Sequence, residues 1–149
     1  DLRVVATEVI RNVSAGFPKT KISLTNLKGE PLNDSVEAAF DQPGLIQVLT
    51  NLLANACNFA GDKDIEVALG NQDEKTVIKV IDHGEGIAKQ LRTKVFERFY
   101  RSDNSRNRDT GGSGLGLAIA KSIIQAHMGT LVAEETKGGG ATFKITLPN

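Results

Sequence analysis

The sequence predicts an α+β fold, because segments with helical periodicity and segments with strand-like alternation follow one another along the chain. Its 149 residues can bury a hydrophobic core, and 40% hydrophobic with 24% charged residues is an ordinary globular composition. No apolar run reaches membrane-spanning length, and no signal-peptide pattern is present. We therefore expect residues 1–149 to form a single globular domain.

Charge and cysteine content narrow the possible partners and setting. The chain has 18 Lys and Arg against 18 Asp and Glu, which argues against a nucleic acid or an anionic membrane as its main partner. Cys57 is the only cysteine, so no internal disulfide or cysteine metal cluster can form, and a reduced, cytoplasmic setting is expected. Because the chain starts at Asp1 and its only methionine is Met128, we expect a fragment of a longer protein.

The first part of the chain predicts one helix and two short strands. Residues 2–13 have apolar side chains at helical spacing, and residues 21–25 alternate like a half-buried strand. A turn is predicted over 26–33 and a second short strand over 36–40. Residues 41–44 indicate a turn or the start of a helix.

Residues 45–59 predict a helix with an unusual polar face. Apolar residues form a broad stripe, and Asn51, Asn55 and Asn58 fall near its opposite side at about 100° per residue. A solvated face would normally carry Lys, Glu or Arg, yet this segment contains no charged residue. Amide oxygens are suitable ligands for a hard cation such as Mg²⁺. The pattern therefore favours metal and phosphate binding over a plain solvated face.

Two strands are predicted at 65–69 and 76–81, joined by a hairpin loop at 70–74, and the second leads into an acidic corner. There Asp82 is followed by Gly84 and Gly86. A carboxylate can accept from an exocyclic amine while the glycines let a flat ring lie on the backbone. The alternative is a plain turn, and the scarcity of carboxylates argues against a calcium loop.

Residues 93–100 predict a short aromatic helix, more typical of core than of a cofactor site. The polar stretch that follows, with Arg101, Arg106 and Arg108, reads as a lid of about 101–112 that carries positive charge. The alternative is a disordered loop, and the two interpretations are compatible.

A glycine-rich turn then leads into a predicted helix over 115–128. Unpaired backbone N–H groups at such a helix start, together with the helix dipole, form an anion site, whereas the alternative is a surface loop before a packed helix. The predicted apolar face consists of Leu115, Ile119, Ile123 and Ala126, with Gly129 as the C-cap. Strands are predicted at 130–134 and 141–147, joined by glycines 138–140.

Four of these blocks occur together in order: residues 51–59, 82–86, 96–101 and 112–117. The combination resembles the ATP-binding catalytic domain of bacterial sensor histidine kinases, within the gyrase/chaperone/histidine kinase/mismatch-repair ATPase superfamily. The blocks are similar to its N box, first glycine box, F box and second glycine box. The resemblance implies a two-layer α/β sandwich of the Bergerat type, a mixed sheet with helices on one face and ATP held between helices and lid.

The resemblance also implies roles for individual residues. Asp82 would read the adenine amino group, Asn55 would ligate Mg²⁺, and Asn51 would lie near the phosphates, so both asparagines are the implied catalytic residues. Arg101 would reach the phosphates from the lid. The implied nucleotide-binding set is Asn51, Asn55, Phe59, Asp82, Gly84, Gly86, Ile87, Arg101, Gly112, Ser113, Gly114, Leu115, Gly116 and Leu117. Asn58 departs from the family, in which many members have a basic residue there.

Three functions are compatible with these residues. The family resemblance favours a protein-histidine kinase domain that binds Mg²⁺ and ATP. A hydrolytic ATPase would have glutamate at the position of Asn51, and an amide cannot take a proton near neutral pH. A degenerate nucleotide-binding module is the third possibility, which the intact Asp82 and second glycine box disfavour.

The resemblance further implies a phosphoacceptor outside this chain. His83 lies inside the adenine corner, and His127 lacks the acidic residue and proline that follow an acceptor histidine. We therefore expect the acceptor on a separate helical-hairpin domain, upstream in the same protein, and a response regulator as the next partner. No nucleic acid and no direct membrane contact are expected for this fragment.

Overall fold

The computed structural model describes residues 1–100 and 115–149. Within these ranges the α-helices and strands are α1 (Leu2–Gly16), β1 (Ile22–Asn26), α2 (Gln42–Ala60), β2 (Ile65–Gln72), β3 (Lys75–Ile81), α3 (Gly116–Ala126), β4 (Thr130–Glu135) and β5 (Ala141–Pro148). Short 3₁₀ turns occur at Lys89–Leu91 and Lys94–Phe96. None of the helices in the described part of the chain is long and apolar enough to span a membrane.

The strands form one mixed sheet in the order β1-β2-β3-β5-β4, which confirms the predicted architecture. Strand β1 pairs with β2 in parallel, and the other neighbours are antiparallel. The β2–β3 turn is tighter than predicted, because β2 continues to Gln72 instead of ending in a loop at 70–74. Asp73 and Glu74 both have positive φ (51° and 62°), as a two-residue hairpin turn requires.

The core lies on one face of the sheet, against the helices. Leu69, Ile78, Ile145 and Leu131 are cross-strand partners in one row, and each is at most 1% exposed. The next row, on the opposite face, pairs Lys79 with Lys144. Because side chains alternate along a strand, this register places the helices on one face, as expected.

Both N-terminal helices begin after a capping aspartate, and α2 buries its predicted apolar stripe. Asp1 Oδ1 accepts from the backbone N–H of Arg3 at 2.9 Å, and Asp41 Oδ2 accepts from that of Gly44 at 2.9 Å. The apolar stripe of α2 is buried, at Leu45, Val48, Leu49, Leu52, Leu53 and Ala56. The uncharged asparagine side of α2 therefore faces away from the core.

The prediction of a strand at 36–40 is wrong. The backbone of Val36 bonds to the start of α1 instead of to a strand ladder: its carbonyl accepts from Leu2 N–H at 2.8 Å, and its N–H donates to Asp1 Oδ1 at 3.3 Å. Its side chain is 4% exposed in the core. The apolar pattern of this segment reflects docking onto α1.

Helix α3 also departs from its predicted face and end. Ala120 and Ile124 are its buried residues, one position beyond the predicted Ile119 and Ile123, and Ile119 is 38% exposed. At the C-terminus Met128, not glycine, has the left-handed conformation (φ 62°). Gly129 N–H donates to the carbonyl of Ile124 at 3.0 Å, which completes a Schellman motif.

The aromatic segment 93–100 forms only a short 3₁₀ turn, not the predicted helix. Phe96 is buried and packs edge-on against Phe143 at 5.9 Å between ring centroids. Phe99 is 70% exposed and has a positive φ of 64°. The prediction of core packing therefore holds for Phe96 and is wrong for Phe99.

Candidate functional site

Asp82 lies at a buried corner just beyond β3. Its side chain is 3% exposed, and Oδ1 accepts from the backbone N–H of Gly84 at 3.0 Å and of Ala141 at 3.1 Å. Its own N–H donates to the Ala141 carbonyl at 2.9 Å. Two backbone donors thus offset the desolvation of the carboxylate and fix its orientation.

Glycines bring three backbone segments together around this corner. A Cβ added to Gly84 would lie 2.5 Å from the carbonyl oxygen of Phe59, near the end of α2. Gly86 has φ of 80°, and a Cβ there would meet the Gly140 carbonyl at 3.0 Å. Gly140, from the β4–β5 hairpin, has φ of 112° and would place a Cβ 2.1 Å from the Asp82 carbonyl. No side chain fits between these segments.

Asn51 connects the asparagine face of α2 to the start of α3. Its amide Nδ2 donates to the Gly116 carbonyl at 3.1 Å. A Cβ added to Gly116 would lie 3.8 Å from Asn51 side-chain atoms, an ordinary van der Waals distance. The N-box and second-glycine-box segments are therefore neighbours.

Helix α2 joins both parts of the site. It contacts the acidic corner through Phe59 and the glycine-rich segment through Asn51. Phe59 lies eight positions beyond Asn51 on the helix, a length of about 12 Å at 1.5 Å per residue. At about 100° per residue Asn55 lies between them, so the three residues follow one side of α2.

Among the helices that the structure describes, the start of α3 differs from those of α1 and α2. Leu115 stands at the N-cap and makes no side-chain capping bond, whereas Asp1 and Asp41 cap α1 and α2. The first N–H groups of a helix have no intrahelical acceptor. Gly116 at the first helical position is exposed, so an anion could approach these groups.

Asn55 carries an amide oxygen, a type of ligand that a hard cation takes. It is half-buried one turn beyond Asn51, and no hydrogen bond within the described ranges engages its amide. Those ranges also contain no cluster of three His, Cys, Asp or Glu able to hold a metal. A hard cation here would therefore take Asn55 Oδ1 together with phosphate and water oxygens.

Of the remaining predicted site residues, some lie within the described ranges and some lie outside them. Phe59, Ile87, Leu115 and Leu117 are half-buried, and the first two belong to the segments that meet at the acidic corner. Outside the described residues lie Arg101, Arg106, Arg108, Gly112, Ser113, Gly114 and the lid at 101–112. Asn58, in place of the usual basic residue, is half-buried on α2.

Two residues near the corner were not predicted. Gly140 was seen only as part of a hairpin connection, although a run of three glycines next to a strand is itself a signal of close backbone approach. Arg92 donates from Nε to the Ile87 carbonyl at 3.2 Å, and no sequence pattern marked it.

His127 and Cys57 have structural surroundings. The His127 ring stacks on Phe40 at 3.7 Å, Nδ1 lies 2.9 Å from the Ile123 carbonyl, and Nε2 accepts from Asp41 N–H at 3.4 Å. Both ring nitrogens are thus engaged between α2 and α3. Burial raises the pKa of the Cys57 thiol to about 11, so it stays protonated and unreactive near neutral pH.

Comparison with known proteins agrees with this geometry. Residues 40–149 match the family described as histidine kinase-, DNA gyrase B- and HSP90-like ATPase. The sensor histidine kinase WalK of Bacillus subtilis is 43% identical over 111 residues, which are 72% of this chain and 18% of WalK. The chain spans less than a third of the length of the curated relatives that it matches first.

Solved structures show the same fold over nearly the whole chain. The mycobacterial sensor histidine kinase MprB superposes with a TM-score of 0.86 at 28% identity, covering 99% of this chain and 95% of that one. Full-length ShkA in complex with AMPPNP has a TM-score of 0.78 at 26% identity, with 99% and 30% covered.

The chain is therefore a member of the histidine kinase-, gyrase- and HSP90-like ATPase family. Its α+β fold is that of the ATP-binding domains of histidine kinases, and its relatives by sequence are sensor histidine kinases. The resemblance identified from the four sequence blocks is thus confirmed.

Proposed function

We propose that this chain binds Mg²⁺ and ATP and presents the γ-phosphate to a histidine on a separate phosphoacceptor domain in two-component signalling. One observation carries the proposal: Asn51 and Phe59 on α2 contact the glycine-rich segment and the acidic corner, respectively. A single helix thereby spans one region with a base-reading carboxylate at one end and an anion site at the other. The family match and the AMPPNP complex of ShkA support the same ligand.

At the base end, Asp82 would hold adenine. Backbone N–H groups of Gly84 and Ala141 occupy Oδ1 and aim the carboxylate. The other oxygen, Oδ2, would accept from the adenine amino group in a charge-assisted hydrogen bond. Gly86, Phe59 and Ile87 would line the pocket around the flat ring.

At the phosphate end, the start of α3 would bind the anion. Leu115 itself makes no side-chain capping bond to the first N–H groups, and Gly116 allows a phosphate to approach the backbone. Leu117 packs against the core and anchors this helix start. Gly112, Ser113, Gly114 and Arg101 complete the proposed contacts.

Magnesium would be held by Asn55 through its amide oxygen, with phosphate oxygens and water as the other ligands. When bound, the ion neutralises phosphate charge, which phosphoryl transfer requires. Asn51 keeps α2 and α3 together through the Gly116 carbonyl, so that the asparagine and the anion site keep their spacing.

Transfer to a protein is favoured over hydrolysis because Asn51 cannot act as a base. An amide does not take a proton from water near neutral pH. Its Nδ2 donates to the Gly116 carbonyl, which is a positioning contact. An ATPase that hydrolyses to drive dimer closure, or a module that only binds nucleotide, remains the alternative.

The acceptor would lie on another domain, because neither histidine here is suited to receive phosphate. His127 is engaged at both ring nitrogens, and His83 adjoins the tightly packed Asp82 corner. A helical-hairpin domain of the same parent protein and a response regulator are the proposed partners. A cytoplasmic setting, where ATP is available, belongs to the same proposal.

Radiolabelled transfer tests the proposal. The chain is mixed with Mg²⁺, γ-labelled ATP and a separate dimeric helical-hairpin domain that carries one acceptor histidine. We expect label on that domain, none on the chain alone and little free phosphate. Phosphate released without labelled protein would support the ATPase instead, and nucleotide binding with neither product would support the binding module.

A further inference from the structure

We propose that Arg92 is a positioning residue for the adenine end of the site and acts through the carbonyl of Ile87. The inference rests on the proposed function, because it concerns the turn that would receive the base. That turn, residues 82–88, contains no helix or strand. Its shape therefore depends on individual contacts rather than on a backbone ladder.

Three of these contacts hold the first part of the turn. Asp82 pairs with Ala141, Gly84 lies against Phe59, and Gly86 lies against Gly140. All three are close backbone approaches made before residue 87. In the last part of the turn the Ile87 side chain packs against the core, and the orientation of the Ile87 carbonyl needs a separate restraint.

Arg92 supplies that restraint. Its Nε donates to the Ile87 carbonyl at 3.2 Å, and its side chain is only 26% exposed. A second guanidinium nitrogen lies 3.9 Å from Glu135 Oε2 at the end of β4. Glu135 is 74% exposed, so this ion pair is weak, and the hydrogen bond to Ile87 is the contact that matters.

Residues at the base end of the site contact both sides of the β4–β5 hairpin. Glu135 ends β4 and Gly140 precedes β5, so Arg92 contacts the same hairpin that packs on Gly86 and Asp82. Without the hydrogen bond from Arg92 to the Ile87 carbonyl, the turn at 82–88 should be less ordered in the free protein. Nucleotide binding would then have to order the turn, at a cost in affinity. The loss of affinity should concern the contacts to the base and not the contacts to the phosphates.

The experiment measures dissociation constants of Mg²⁺-bound ATP, ADP and GTP for the 149-residue chain by calorimetry. Arg92→Met removes the donor and keeps the apolar stem, whereas Arg92→Gln places an amide nitrogen near the position of Nε. Arg3→Met is the matched control, because Arg3 also donates to a backbone carbonyl, that of Asn33 at 2.9 Å, away from the candidate site.

For Arg92→Met we expect the dissociation constants of ATP and ADP to rise equally, by about 3- to 10-fold, the range of one lost hydrogen bond. The ratio of the GTP dissociation constant to the ATP dissociation constant should decrease. Arg92→Gln should return affinity to within about 2-fold of the wild type, and Arg3→Met should not change it. Urea unfolding of each variant separates these effects from a general loss of stability.

Wild-type affinity in Arg92→Met, or no rescue by Arg92→Gln, would overturn the inference and leave the proposed function standing. A larger loss for ATP than for ADP would also overturn the inference, because that loss would belong to the phosphate end. If the wild-type chain bound no ATP, the proposed function and this inference would fail together.

Discussion

The two ends of the proposed site use glycine in different ways. At the acidic corner, a Cβ on Gly140 would fall 2.1 Å from the Asp82 carbonyl, so the backbone segments touch directly. At the start of α3, a Cβ on Gly116 would be 3.8 Å from Asn51, which is ordinary contact. The base end therefore requires glycine for folding, whereas the phosphate end has room for a side chain or a ligand.

Because of this difference, we expect substitutions at the two ends to affect different quantities. Substitutions at the corner should act first on the free energy of unfolding, and substitutions at the start of α3 should act on nucleotide affinity. Asp82 is the exception at the corner, because its oxygen atoms serve both purposes.

Gly140→Ala should lower the free energy of unfolding by about 3 kcal/mol or more, because the Cβ overlaps backbone and φ is 112°. Urea unfolding measures the change. Gly138→Ala is the matched control, since its φ is also positive (89°) but no atom lies within 4 Å of its Cβ. Equal losses in the two variants would show that backbone strain, not the contact with Asp82, causes the effect.

Asp82→Asn should weaken ATP binding by about 1 to 3 kcal/mol, through a lost charge-assisted hydrogen bond to adenine. The asparagine oxygen can still accept from Gly84 and Ala141, so the fold should persist. Calorimetric titration measures affinity, with the exposed Asp34→Asn as control. Unchanged affinity in Asp82→Asn would remove this residue from the base-reading role.

Gly116→Ala should raise the ATP dissociation constant about 3- to 10-fold, because a methyl group obstructs approach of phosphate to the helix start. Its free energy of unfolding should stay equal or rise by up to about 1 kcal/mol, since alanine is the better helix former. Paired unfolding and titration measurements check both parts. Retained affinity would place the phosphate contacts elsewhere.

His127→Phe should have the smallest effect, a loss of about 1 kcal/mol in the free energy of unfolding. The ring can still stack on Phe40, but the bonds to Ile123 and Asp41 are lost. Nucleotide affinity and labelling of the acceptor domain should not change. Loss of labelling in this variant would indicate that His127 takes part in transfer.

Much of the fold follows from local patterns in the sequence. The α2 stripe and the cross-strand rows come from periodicities that packing preserves. The predictions of secondary structure were wrong where tertiary contacts outweighed the local sequence pattern. The backbone of Val36 bonds to α1 and not to a strand. Met128 has the left-handed conformation, and Gly129 packs closely against β5, with a Cβ there 2.7 Å from the Thr146 carbonyl.

The site was predictable to the extent that its chemistry lies in short motifs. Asp82, Asn51 and Gly116 belong to segments that the sequence marks by composition, and the structure brings them beside one helix. Gly140 and Arg92 act through backbone contacts with residues far along the chain or across a turn. Such contacts leave no periodic signal: the run of glycines at 138–140 indicates a close backbone approach without its partner, and only the fold reveals the contact of Arg92.

The central claim is that the asparagine face, the acidic corner and the start of α3 border one nucleotide site. Amide chemical shifts of the ¹⁵N-labelled chain, titrated with Mg²⁺-bound ATP, test it most directly. We expect shifts grouped at Asn51, Asn55, Gly84, Gly86 and Gly116, with the exposed side of α1 unchanged. Shifts centred on α1, or saturation without any response at the corner, would contradict it.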